Sequence, residues 1–170
     1  MHPTTPCPPA DNLLDQLRAE ESLLGETLVS LTELTDALRR GDLATVNAAR
    51  PRQESLATAL ADRARCRTAA ATSLAEAVGL PATTNLTLAV LAAHLPDPTA
   101  KGLLASRDRL ANLVAKISEY QRRNANLIRH LRSYFRGVMA VLAAADAPIR
   151  YGPSGANLAP RAGAMIQVRG

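Results

Sequence analysis

The chain has 170 residues and a formal net charge of +5; 47% of its residues are hydrophobic but only 2% are aromatic. That length suits a single domain. An apolar content made of leucine, alanine and valine favours helix–helix seams over sheets, which draw on aromatic and β-branched side chains. With only Cys7 and Cys66 there is no disulfide framework and no metal spacing. No apolar run reaches the ~18 residues that span a bilayer. The N-terminal Met1-His2-Pro3-Thr4-Thr5-Pro6 has neither a basic nor an apolar region of the secretory kind, so a soluble cytoplasmic protein is expected.

The charge is unevenly spread. Residues 1–42 carry 3 basic and 8 acidic side chains, whereas residues 43–170 carry 17 basic and 7 acidic. Such asymmetry marks either a nucleic-acid arm or an acidic helix lying against a basic one.

In chain order, residues 1–10 hold four prolines and read as a disordered tail. A single helical domain is expected over 11–146. Its first helix runs from an Asp11 cap to Arg40, with Leu17, Leu24, Leu31 and Leu38 at seven-residue intervals keeping one face apolar. Gly41 breaks it and Asp42 caps a second helix over 43–78, whose pattern runs through Leu43, Val46, Leu56, Leu60 and Leu74. Pro51 lies inside that span and predicts a kink or a fresh start. Gly79-Leu80-Pro81 is a stop signal. A short helix over 86–95 follows, behind Thr84-Asn85.

Asp97-Pro98 opens the last helix, with no breaker before Pro148 except Gly137. At the standard rise a helix over 98–145 is about 70 Å long. Leu103, Leu110, Ile117, Asn124, Leu131 and Val138 repeat every seven residues, with Leu113, Leu127, Tyr134 and Val141 at the companion position. The basic residues from Lys101 to Arg136 flank these two positions and never occupy them. The prediction is an all-α fold: an elongated antiparallel bundle or coiled coil of three main helices plus one short helix. Residues 147–170, rich in Gly, Pro and Ala, read as a flexible tail ending in the apolar Met165-Ile166-Gln167-Val168.

No catalytic or metal-binding arrangement is legible. His2, His94 and His130 lie in three separate segments without a second ligand at helical spacing. Gly152-Pro153-Ser154-Gly155 follows no strand and opens no helix, so it is no phosphate cradle. No enzyme activity and no cofactor are expected. The basic run Arg122, Arg123, Arg129, Arg132 and Arg136 lacks interleaved aromatics and a groove-fitting motif, so it reads as a solvated face and not a nucleic-acid site.

Asn124 occupies a seam position where leucine would stabilise more. It either sets the register of the seam or marks where the seam opens for a partner's helix. Tyr134 and Phe135 point about 100° apart and cannot both centre on one narrow seam, so one is expected to be exposed. Tyr151, in the tail, reads as a docking anchor.

Asn124-Ala125-Asn126-Leu127-Ile128 resembles the N-x-N-x-L-[LI] stretch late in the long helix of FlgN-type flagellar export chaperones. Tyr151-Gly152-Pro153-Ser154-Gly155 is similar to the Y-G-x-x-G that follows the helix in that family, and Ala162–Val168 to its apolar tail end. The front half is also similar, through Gly41-Asp42-Leu43 and then Leu56, Leu60 and Arg63; Pro51-Arg52 departs from the pattern.

The resemblance implies a chaperone for the hook-associated proteins FlgK and FlgL, one that holds their helical C-terminal regions unassembled and delivers them to the type III export gate. Asn124, Leu127, Ile128, Leu131, Phe135 and Val138 would then form the client surface, and Tyr151 would dock to the export apparatus. Another type III secretion client, a basic nucleic-acid binder and a self-associating coiled coil are the rival readings.

Overall fold

A computed structural model describes residues 8–81, 86–145, 150–151 and 157–158, with backbone alone for residues 144, 145, 150, 151, 157 and 158. The protein is all-α. Helix α1 spans Pro8–Arg40, α2 Leu43–Ala77, α3 Leu88–Ala92 and α4 Asp97–Ala145. Beyond them, Arg150–Tyr151 and Asn157–Leu158 form a minimal antiparallel pair, β1 and β2, with Arg150 opposite Leu158. Chain contacts divide the molecule into two units, residues 1–127 and 128–170.

Helix α1 begins three residues earlier than the Asp11 cap predicts. Pro8 and Pro9 fit in a first turn, where no intrahelical N–H is required, and Ala10 is buried in the core. The expectation for residues 1–7 lies outside the described residues. The α1–α2 turn is two residues long. Gly41, at φ +69°, places its N–H on the Leu38 carbonyl at 3.4 Å, and the Asp42 N–H reaches the Ala37 carbonyl at 3.0 Å. Only glycine holds that left-handed position without strain. Asp42 then starts α2: its carboxylate accepts from the Thr45 N–H at 3.1 Å and from the Thr45 hydroxyl at 2.6 Å. Those two bonds hold the Asp42 carboxyl below its ordinary value of 3.8, the hydroxyl contributing most.

Helix α2 runs through Pro51 as one element, so the fresh start expected there does not occur. Pro51 is exposed, and water can serve the carbonyl that loses its helical donor. Gly79, at φ +73°, ends the turn after α2 as Gly41 does after α1, with the Leu80 N–H on the Ala75 carbonyl at 2.8 Å. Helix α3 is shorter than expected, one turn and a half capped by the Thr87 hydroxyl, which accepts from the Val90 N–H.

Cross-helix pairs fix the register inside the first unit. Arg52 with Glu33 and Arg67 with Glu20 show positions rising on α2 as they fall on α1, so these two helices are antiparallel. Leu14 lies 3.6 Å from the space beside Gly102, Glu21 binds Arg109, and Thr35 binds Asn124. Each of those partners stands 88 or 89 positions further along, so α1 and α4 run parallel and α4 lies antiparallel to α2. That offset consumes α1, at Arg40, when α4 has reached about residue 128.

The core follows the heptads. Leu17, Leu24, Leu31 and Leu38 are buried, as are Leu103, Leu110 and Ile117, and Leu74 and Leu91 close the bottom of the same cluster. Leu43, expected to open the α2 seam, is instead exposed at the helix's start.

Candidate interaction surface on the last helix

The two units differ in how their side chains are satisfied. In the first, the acidic α1 meets basic residues of both neighbours. The Arg67 guanidinium donates to both Glu20 carboxylate oxygens at 2.6 and 2.7 Å, and Arg52 reaches Glu33 at 2.8 Å. Arg109 of α4 donates to Glu21 at 2.8 Å. Much of the sequence's charge asymmetry is therefore internal, an acidic helix between two basic ones. Exposed pairs of this kind stabilise little individually. The Glu20–Arg67 pair, with Glu20 buried, is the least screened.

Asn124 is 3% exposed and fully engaged inside this unit. Its Nδ2 donates to the Leu31 carbonyl at 3.0 Å, and its Oδ1 accepts from the Thr35 hydroxyl at 2.7 Å. Thr35 is itself buried and lies 2.8 Å from the same Leu31 carbonyl. This closed polar set identifies Asn124 as a register-setting residue. A leucine shifted by one turn along α1 would leave the amide unpaired in an apolar seam, at a cost of about 1–3 kcal/mol. Of the residues predicted for client binding, Asn124 therefore presents nothing to solvent. Leu127, which closes the first unit, is half-buried.

In the second unit the rest of α4 carries an apolar face turned to solvent. Ile128, Tyr134, Phe135, Val138, Met139, Val141 and Leu142 are all exposed, with Tyr134 at 68% and Phe135 at 56%, and Leu131 is half-buried. Tyr134 and Phe135 are thus both exposed; their rings meet edge to face, 6.0 Å between centroids. At 100° per residue the apolar positions from Ile128 to Leu142 share an arc of about 160°, far wider than a two-position seam. Gly137 leaves open space beside it, and Ser133, Tyr134, Gly137, Val138, Val141 and Leu142 line a shallow groove of about 440 Å³.

Ile128, Leu131, Phe135 and Val138, predicted from sequence, all fall on this arc. Tyr134 and Val141, on the companion position, and Met139 and Leu142, off both seam positions, were not among the predicted contacts; Leu142 stands seven residues beyond Phe135, so the breadth of the stripe was the signal that could have found it. Tyr151 belongs to β1, where the backbone alone is described. The Y-G-x-x-G glycines and the Met165–Val168 end lie outside the described residues.

Among the described residues no group of His, Cys, Asp and Glu could hold a metal ion, and no helix is long and apolar enough to cross a membrane. What the geometry offers is an all-α module whose last helix presents an apolar strip, an arrangement suited to binding another protein segment. The model of the FlgN protein family matches residues 9–159, and the chain belongs to that family, whose members are flagellar export chaperones of the type III pathway. No curated protein and no solved structure matches the chain.

Proposed function

We propose that this protein is a cytoplasmic chaperone that binds the helical C-terminal regions of hook-associated proteins of the FlgK and FlgL type. It keeps them from assembling early and delivers them to the flagellar type III export gate. The observation that carries the reading is the row of exposed apolar side chains from Ile128 to Leu142 on a helix of a flagellar export chaperone. An amphipathic client segment lays its apolar face on such a strip and is thereby withheld from its assembly partner. Because the client orders as it binds, part of the contact energy is spent on ordering, and the complex stays reversible enough for delivery.

The client surface comprises Ile128, Leu131, Phe135 and Val138, joined by Tyr134, Met139, Val141 and Leu142. Asn124 acts on it from the seam and not by contact. Combined replacement of Ile128, Phe135 and Val138 by Ala should weaken calorimetric binding of a FlgK or FlgL C-terminal segment by about a hundredfold, as loss of central apolar anchors does. Unchanged affinity would place the client site elsewhere. Tyr151, matched to the tyrosine of the family's Y-G-x-x-G, is assigned to docking at the export apparatus; a Tyr151→Ala protein that still bound the apparatus normally would remove that role.

A further inference from the structure

The edge of the apolar strip carries information about what lies on it. From Gln121 to Ala145 the sequence has no aspartate or glutamate. Arg132 and Arg136 are exposed and have no carboxylate partner among the described residues; the one bond of the Arg136 guanidinium is a long one, 3.4 Å, to the Arg132 carbonyl. In the first unit, by contrast, Arg52, Arg67, Arg109 and Arg123 each meet a glutamate within 3.0 Å.

The two arginines are also placed to one side. On the helical wheel Arg132 and Arg136, together with Arg129, fall within about 60° of one another, directly beside Ile128 and Met139. The opposite margin of the strip is built of Ser133, Gly137, Ala140 and His130. An apolar arc bounded by arginine on one edge and by small or neutral residues on the other is lopsided.

We propose that the occupant of this strip is an amphipathic helix with carboxylates along one flank only, and that Arg132 and Arg136 recognise that flank and fix the direction in which the segment lies. This inference rests on the client surface proposed above and names the chemistry of its ligand. Apolar contact alone is indifferent to the polarity of a docked helix. A one-sided charge edge is not, because reversing the helix moves its acids to the neutral margin and leaves both arginines unpaired. A membrane-lying helix would be expected to carry basic residues along both margins of its polar face, so that both reach anionic headgroups. A single-strand nucleic-acid site would set aromatic rings among the charges; here Tyr134 and Phe135 lie inside the apolar arc, and no ring falls within the sector of about 60° that the arginines share.

The test uses the full chain and three synthetic helical peptides with identical leucine faces, whose residues along one flank are Glu, Gln or Lys, titrated by fluorescence anisotropy. The Glu peptide should bind about fivefold more tightly than the Gln peptide at low ionic strength, the margin expected of two rim ion pairs, and the difference should shrink in high salt. In an Arg132→Glu/Arg136→Glu double variant the preference should pass to the Lys peptide, whereas Arg65→Glu in the first unit should change nothing. Equal binding of the Glu and Gln peptides would overturn the charge reading and leave the apolar client surface standing. Failure of all three peptides to bind would overturn both. Binding of phosphatidylserine vesicles or of single-stranded RNA in place of the peptides would overturn the charge reading in favour of those partners.

Discussion

Helix α4 passes through two regions that use the same residue types to opposite ends. Up to Leu127 its seven-residue repeat is matched by α1: Leu103, Leu110 and Ile117 are buried, Asn124 is locked to Thr35 and Leu31, and Arg109 and Arg123 meet carboxylates. From Ile128 onward the repeat continues through Leu131 and Val138, but most of the apolar side chains face solvent, and Arg132 and Arg136 meet no carboxylate among the described residues. A heptad is thus a statement about one helix and not about its partner. It says that something apolar should cover the face. Whether the chain supplies that cover or a client does depends on where the neighbouring helix ends.

The largest effect expected from this contrast is in stability. Leu17→Ala, at a fully buried position, should cost about 3 kcal/mol in urea unfolding, as core leucine truncations do. Leu142→Ala, at an exposed position, should change global stability by less than about 0.5 kcal/mol. Equal costs would mean that the outer part of α4 is as deeply packed as the core, and the comparison would fail.

A smaller effect tests the lock at the end of the matched region. Asn124→Ala should destabilise by about 1–2 kcal/mol, because the Leu31 carbonyl loses a buried donor while the Thr35 hydroxyl can fall back on its own helix. Asn124→Leu should recover stability in the same assay, since an apolar residue replaces a polar one in an apolar seam. If both variants matched the parent protein, the polar set would have no part in fixing the seam.

The smallest effect is at the α1–α2 turn. Asp42 titrates below its ordinary value of 3.8 in the folded protein, so its contribution is present above that value and is lost as pH falls through the lowered folded value. Thermal scans should therefore show a slight extra loss of Tm at acid pH in the parent protein that Asp42→Asn, which caps without ionising, does not show. Identical acid profiles for the two would remove the ionised cap from the account.

Much of the fold was legible. The four main-seam leucines of α1 and the glycine stops at Gly41 and Gly79 come directly from heptad spacing and from the backbone freedom of glycine. Pro51 misled because a proline near the exposed start of a long helix can be carried when packing further along holds it. The client strip was half legible. Leu131 and Val138 follow from periodicity, whereas Ile128 and Phe135 stand off both seam positions; the burial of Asn124 depends on the parallel offset between α1 and α4, which no local pattern encodes. Charge pairing was legible only in outline. Composition divides the acids from the bases, and only the packed register shows that Glu20 and Glu33 serve α2 while Glu21 serves α4.

The most direct measurement is backbone amide exchange along the full chain, alone and with a C-terminal segment of a hook-associated protein bound. The account predicts slowed exchange over residues 128–142 on binding, with residues 13–38 unchanged. Slowing confined to α1 and α2, with residues 128–142 exchanging as before, would contradict it.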